Sequence, residues 1–237
     1  MDLALEEENK SHTGRLKAVI LAGGKGTRAR PFTDYFPKAM IPINGKPMIV
    51  HTIKHISSFD LISEIIIVCD LKGFGGQIKN YFEKSKKIKF VQDSASGTAG
   101  DLAHLSGIIK NEPFFLWFAD NLCALDMKKM YKQYSDKKSL ACIATRMFRK
   151  EETGFASVKN GIVEQFIEKP IIKMENLECT GIYVLSSKIL DIIKSKTKRN
   201  LNLSYDVLQE LSKKGMVSSF DIGKTPWVDV EIGRAHV

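Results

Sequence analysis

Residues 21–49 read LAGGKGTRARPFTDYFPKAMIPINGKPMI, and their side chains suit an anionic ligand. Gly23, Gly24 and Gly26 follow a short apolar run. With no Cβ in the way, the backbone N–H groups of such a turn can close on a phosphate or a flat ring. Arg28 adds a planar fork that matches phosphate oxygens. Lys38, fixed behind Pro37, adds a point charge on a stiff loop. Two common phosphate loops do not fit. A GxxxxGK[ST] loop is absent, and Lys25 and Thr27 stand at the wrong spacing for one. A GxGxxG fingerprint fails because Ala29 stands where its last glycine belongs. A glycine-rich turn with incidental basic residues remains the plain alternative for so short a cluster.

Other chemistry-bearing residues are scattered. Asp120 closes the apolar run FFLWFAD, where a lone aspartate is most often a helix cap. GTAG at 97–100 suits an ordinary helix start equally well. His51 and His55 are four apart on an expected helix, but Thr52 occupies the place where a zinc protease needs glutamate. They are read as packed or solvated residues. The four cysteines, Cys69, Cys123, Cys142 and Cys179, form no CxxC pair. That disfavours a disulfide scaffold and a zinc ribbon and suits a reducing, cytoplasmic setting.

The elements that must position these groups follow from periodicity. Continuous apolar runs at 16–22, 64–70 and 114–120 predict buried strands, with a shorter strand at 89–91 and an alternating one at 139–148. Between them, helical spacing covers 47–58, 76–84, 98–109 and 126–135. Strands alternating with helices imply a mostly parallel sheet covered on both faces, a three-layer αβα, Rossmann-like architecture in the α/β class. In such sheets ligands gather at the carboxyl ends of strands. Further on, Lys159-Asn160-Gly161 predicts a hairpin turn inside FASVKNGIVEQFIEKP. A strand over 179–186, helices over 187–194 and 203–215, and a last strand in MVSSFDI complete the reading. Gly215 is the expected helix stop.

Composition narrows the class. Apolar residues make up 43% of the 237, enough for a sizeable core, and 27% charged residues is ordinary for a globular chain. No apolar run approaches the ~20 residues of a membrane-spanning helix, so no membrane partner is expected. The net charge of +9 attracts anions. Its lysines cluster at 84–89 and 194–199 without interleaved aromatic residues, which argues for solvated faces and against nucleic acid. Residues 1–15 are expected to be a flexible arm and 16–230 one domain. The last seven residues, EIGRAHV, match a common sequencing adapter when read back through the genetic code. A non-native tail at 231–237 and a truncated C-terminus are therefore expected.

The 21–49 string as a whole resembles the signature of sugar-1-phosphate nucleotidylyltransferases, approximately GGxGTRLxPLTxxxPKxLxPIxxKPMI. Mannose-1-phosphate guanylyltransferases and glucose-1-phosphate uridylyl- and thymidylyltransferases are members of this family. The resemblance implies the nucleotide-diphospho-sugar transferase fold and a reaction: a nucleoside triphosphate and a sugar 1-phosphate give a nucleotide-sugar and pyrophosphate. It also implies roles. Arg28 and Lys38 would be catalytic. Leu21, Gly23, Gly24, Gln92 and Gly97 would hold the nucleotide. Gly154, Glu168, Lys169 and Gly181 would hold the sugar phosphate. Asp120 and Asp229 would bind Mg²⁺, which wants few carboxylates, several waters and phosphate oxygens. A homo-oligomer is among the expectations. Departures from the pattern are Asp101 in place of a small apolar residue, Ala119 in place of glycine and Cys179 in place of asparagine. The first bears on base preference. A mannose-1-phosphate guanylyltransferase-like enzyme is the favoured reading. A non-catalytic relative and a nucleotide-sugar-using glycosyltransferase are the alternatives. The latter usually carries Asp-x-Asp, and Asp120-Asn121-Leu122 lacks the second aspartate.

Overall fold

The computed structural model of the protein describes residues 15–24 and 26–230. The expectations about 1–14 and the tail at 231–237 fall outside the described residues. β1 (Leu16–Leu21) opens the chain order. A short hairpin of β2 (Pro42–Ile43) and β3 (Lys46–Pro47) precedes α1 (Met48–Ser57). Then come β4 (Ile62–Cys69), α2 (Gly75–Tyr81), β5 (Ile88–Gln92), α3 (Gly97–Ala103) and α4 (Ser106–Ile109). β6 (Phe114–Phe118), β7 (Asn121–Cys123), α5 (Met127–Lys137) and β8 (Ala141–Lys150) follow. A hairpin of β9 (Phe155–Lys159) and β10 (Ile162–Ile167) leads to β11 (Ile171–Leu185) and α6 (Lys188–Lys194). A π-helical turn, Leu203–Leu208, runs into α7 (Gln209–Lys213), before β12 (Val217–Asp221) and β13 (Trp227–Asp229).

Seven strands form one sheet in the order β12-β8-β11-β6-β1-β4-β5. β6, β1, β4 and β5 are mutually parallel, and β12 is parallel to β8. β11 runs antiparallel to both its neighbours. The expected mostly parallel sheet is what forms. Side chains alternate across it. Ala18, Ile20, Ile65, Ile67, Phe115 and Trp117 pack on one face with the apolar stripes of α1 and α5. Val19, Ile66, Val68, Phe114 and Leu116 pack on the other with α3, α6 and the Leu203–Lys213 helical segment. Strands apolar on every residue are those that must satisfy both faces.

The sequence expectations differ from the structure where burial, not pattern, sets the element. The helix expected over 98–109 splits into α3 and α4, because Leu105 N–H bonds the carbonyl of Leu102 and tightens the chain there. β11 begins at Ile171 rather than 179. Its first half is largely exposed, so no apolar run announces it. The Asn160-Gly161 turn forms as expected, with both residues at positive φ. β7 and β13, three residues each, escaped the periodicity altogether.

Candidate active site

The carboxyl ends of β1 and β6 and the first turn of α3 surround one cleft. Leu21, Ala22, Gly23, Gly24, Lys38, Ala39, Thr98, Asp101, Phe118, Ala119 and Asp120 line it. This is the place that a doubly wound sheet reserves for ligands. The expected nucleotide residues Leu21, Gly23 and Gly24 and the expected Lys38 and Asp120 all meet there. The glycine turn is shaped for Lys38. Gly26 sits at φ 59, and a Cβ on it would come within 3.2 Å of the Lys38 Cβ and closer still to Thr33. Thr33 Oγ1 donates to the Gly26 carbonyl at 2.8 Å and pins the loop. The backbone of Arg28 lies in the short 3₁₀ turn Thr27–Ala29 that follows.

Charge in the cleft is arranged around Asp120. Lys38 Nζ lies 2.8 Å from its Oδ2, with both side chains only partly exposed. Asn121 Nδ2 donates to Oδ1 at 2.9 Å. Asn121 is itself buried, and its Oδ1 has no hydrogen-bond partner. β7 carries Asn121 out of the main sheet and pairs antiparallel with β13, placing Asp229 opposite Asn121. The N–H of Val230 donates to the Asp120 carbonyl at 2.9 Å. The ladder thus brings together the backbones at Asp120 and Asp229, 109 positions apart in the chain. Trp227 anchors the ladder: its Nε1 donates to the Thr180 carbonyl at 3.1 Å, and the Arg146 guanidinium stacks 4.2 Å from its ring. Arg146 is held in turn by Glu178 at 2.6 Å.

These residues suit a magnesium ion. Among the described residues no group of three or more His, Cys, Asp or Glu could hold a metal. The described residues thus supply no full protein cage, whereas Mg²⁺ needs only one or two carboxylates beside water and phosphate oxygens. Asp120 already has a cation, the Lys38 ammonium, on one oxygen. Hard oxygen donors of this kind are what the ion prefers.

The GTAG loop is stitched to a distant segment. Gly97 sits at φ 83, where a Cβ would strike the Leu201 carbonyl and Asn200. Ala99 N–H donates to that carbonyl, and Leu203 N–H donates to Thr98 Oγ1, both at 2.9 Å. Asp101, nine-tenths buried, accepts at Oδ1 from the N–H and hydroxyl of Ser94, at 2.9 and 2.6 Å. Asp93 packs against Gly23, where a Cβ would collide with its carboxylate. Burial, reinforced by the charges of Asp101 and Asp70, pushes the Asp93 carboxyl above its usual range. Gln92 ends β5, yet its side chain turns to the loop after β4. It accepts from Leu71 N–H at 3.0 Å and donates to Asp70 at 3.2 Å. It is outside the cleft lining.

The expected sugar-phosphate residues are not gathered into the same cleft. Gly154 packs against Phe166 and Glu168 beside the β9–β10 hairpin. Lys169, at positive φ, donates its N–H to the Thr153 carbonyl at 3.2 Å. Of the four, Gly181 lies against Asn121, where a Cβ would meet the amide nitrogen at 2.6 Å. His51 and His55 are structural, bonding the carbonyls of Ile43 and Leu125 at 2.9 and 2.8 Å. Asn121 and Thr98 were not picked out from sequence. Their only signal was position: one follows Asp120, and the other lies within GTAG.

A family model described as nucleotidyl transferase matches residues 17–233. Mannose-1-phosphate guanyltransferase of Pichia angusta is 30% identical over 226 residues, covering 91% of this chain and 60% of that protein. A probable mannose-1-phosphate guanyltransferase of Schizosaccharomyces pombe is 27% identical, covering 90% and 53%. The chain thus spans a little over half the length of these curated relatives. A structure of a putative glucose-1-phosphate thymidylyltransferase from Bacillus anthracis superimposes with a TM-score of 0.72 at 24% identity, covering 91% of this chain and 90% of that one. HddC from Yersinia pseudotuberculosis, complexed with GMP-PN, superimposes with a TM-score of 0.68 at 23% identity, covering 92% and 95%.

Proposed function

The chain belongs to the nucleotidyl transferase family, and on that premise we propose that it joins a nucleoside triphosphate to a sugar 1-phosphate, releasing pyrophosphate. The observation that carries this reading is one cleft in which the glycine turn, Lys38 and Asp120 converge at strand ends, with Asp229 bridged to them by the β7–β13 ladder. The mannose-1-phosphate guanyltransferases among the relatives favour GTP and mannose 1-phosphate as the substrates.

The chemistry asks little of a base. A phosphate monoester has a second pKa near ~6, so at neutral pH much of it is already dianionic. The difficulty is bringing one anion onto another, and it is met by positioning and charge neutralisation. The backbone at Gly23 and Gly24 holds the nucleotide. Lys38 stabilises charge that develops at the α-phosphate during in-line attack. Arg28 steadies the departing pyrophosphate. Glu168 reads sugar hydroxyls, and Lys169 binds the sugar phosphate, once the β9–β10 hairpin side meets the substrate. Asp120 and Asp229 would hold Mg²⁺, which supplies charge neutralisation where the two phosphates meet. A reducing, cytoplasmic setting suits the four free cysteines.

Pyrophosphate release tests this reading. Four nucleoside triphosphates are offered against mannose, glucose and inositol phosphates in the presence of Mg²⁺. Release that requires both a triphosphate and a sugar 1-phosphate supports it. No release from any pair rejects it and favours a non-catalytic member of the family.

A further inference from the structure

We propose that Asp101 selects the base, by accepting hydrogen bonds from the N–H groups of a guanine edge; this rests on the nucleotide-binding reading of the cleft. Asp101 lines that cleft and is nine-tenths buried. Its Oδ1 is committed to Ser94, through the backbone N–H and the hydroxyl. No described residue bonds its Oδ2, which is left for whatever the cleft receives. A carboxylate is acceptor-only, so it repels phosphate and suits the uncharged end of a nucleotide.

The base edges differ in what they offer such a group. Guanine presents two adjacent donors, N1–H and the N2 amino group. Uracil and thymine present one N–H flanked by two carbonyl oxygens, which a carboxylate repels. Cytosine and adenine present an amino group beside an acceptor nitrogen. A buried acceptor left without a donor costs more than a paired one gains, so the rejection of wrong bases is the stronger effect. Asp93 adds to the same field. It lies against Gly23, so a second carboxylate sits beside this end of the cleft. Gln92, whose side chain is spent on Leu71 and Asp70, does not compete for the role.

Calorimetric binding of GTP, UTP, CTP and dTTP to the full chain, without sugar phosphate and therefore without turnover, is the test. Asp101→Asn is the informative variant. Ser94 N–H still needs an acceptor, so the amide oxygen stays with it and the NH₂ turns to the cleft. The proposal expects the wild type to favour GTP. It expects Asp101→Asn to bind GTP at least about tenfold more weakly while UTP is held equally or better. Asp101→Ala should lose GTP selectively as well. Equal losses for all four triphosphates in Asp101→Asn would overturn the proposal, because Asp101 would then read the ribose or only shape the loop. An unchanged GTP affinity would overturn it too, with nucleotide binding itself intact. A wild type that binds none of the four would instead fail the reading of the cleft on which the proposal stands.

Discussion

Lys38 and Asp120 neutralise one another at 2.8 Å, and under the proposed mechanism each has a different partner when substrates arrive. The ammonium is to serve the α-phosphate and the carboxylate a divalent cation. Removing the lysine should therefore do two opposite things. Lys38→Ala should slow nucleotidyl transfer by about 100-fold or more. It should also tighten Mn²⁺ binding, because Oδ2 no longer faces a competing cation. Turnover within a few-fold of wild type, or unchanged Mn²⁺ affinity by titration, would contradict the assignment. Asp120→Asn and Asp229→Asn keep side-chain shape and lose charge. Each should abolish Mg²⁺-dependent turnover with the thermal midpoint shifted only slightly; full activity of either at low Mg²⁺ would remove it from the metal site. These residues were legible in the sequence because each sits in a dense string: the glycine turn with Pro-Lys, the strand ending in Asp120, the Trp-Val-Asp block. Asn121 and Thr98 were not legible. A buried amide and a loop hydroxyl have no spacing rule, and only their bonds to Asp120 and Leu203 single them out.

At the scale of elements, the β7–β13 ladder is what brings the Asp229 segment, distant in the chain, against Asn121 and the end of β6. Three-residue strands have too few positions to show a period of two, so nothing along the chain announces them. What holds the ladder is Trp227, bonded to Thr180 and covered by Arg146. Trp227→Ala should misplace Asp229 and lower turnover on the order of 100-fold, with partial recovery at high Mg²⁺. Unchanged dependence on Mg²⁺ concentration would show that the ladder does not set the metal site. The buried stretches of β1, β4 and β6 were read correctly for the opposite reason: burial on both faces leaves few polar residues to break the run. α5 is fixed at its start by a local bond. Asp126 caps it, accepting from Lys129 N–H at 3.1 Å, and that bond leads the effects that lower the Asp126 pKa. A lowered carboxyl pKa stabilises the fold above the unfolded value, and this is lost as pH falls through the folded one. Asp126→Ala should cost about 1 kcal/mol in a neutral-pH denaturant titration, and the difference from wild type should shrink in acid. A difference that grows in acid would contradict the cap.

For the whole molecule, alternation across the sheet divides the core into two apolar layers, and the cleft opens where both layers end at the strand tips. That architecture was legible from strand and helix order alone. The arrangement of the β9–β10 hairpin was not. Phe155, Ile162 and Phe166 are exposed on it, so its apolar residues reveal a strand period without revealing what they face. For the same reason the proposed sugar-phosphate residues Glu168 and Lys169 stand apart from the cleft lining while Lys38 and Asp120 are within it. The account's central claim is that this fold attacks a nucleotide at its α-phosphate with a sugar 1-phosphate. GTP labelled at either the α- or the γ-phosphate, incubated with mannose 1-phosphate and Mg²⁺, tests it most directly. The account predicts that α-label appears in a nucleotide-sugar and γ-label in pyrophosphate, in equal amounts. Label released from the γ-position as orthophosphate, or γ-label carried onto the sugar phosphate, would contradict it.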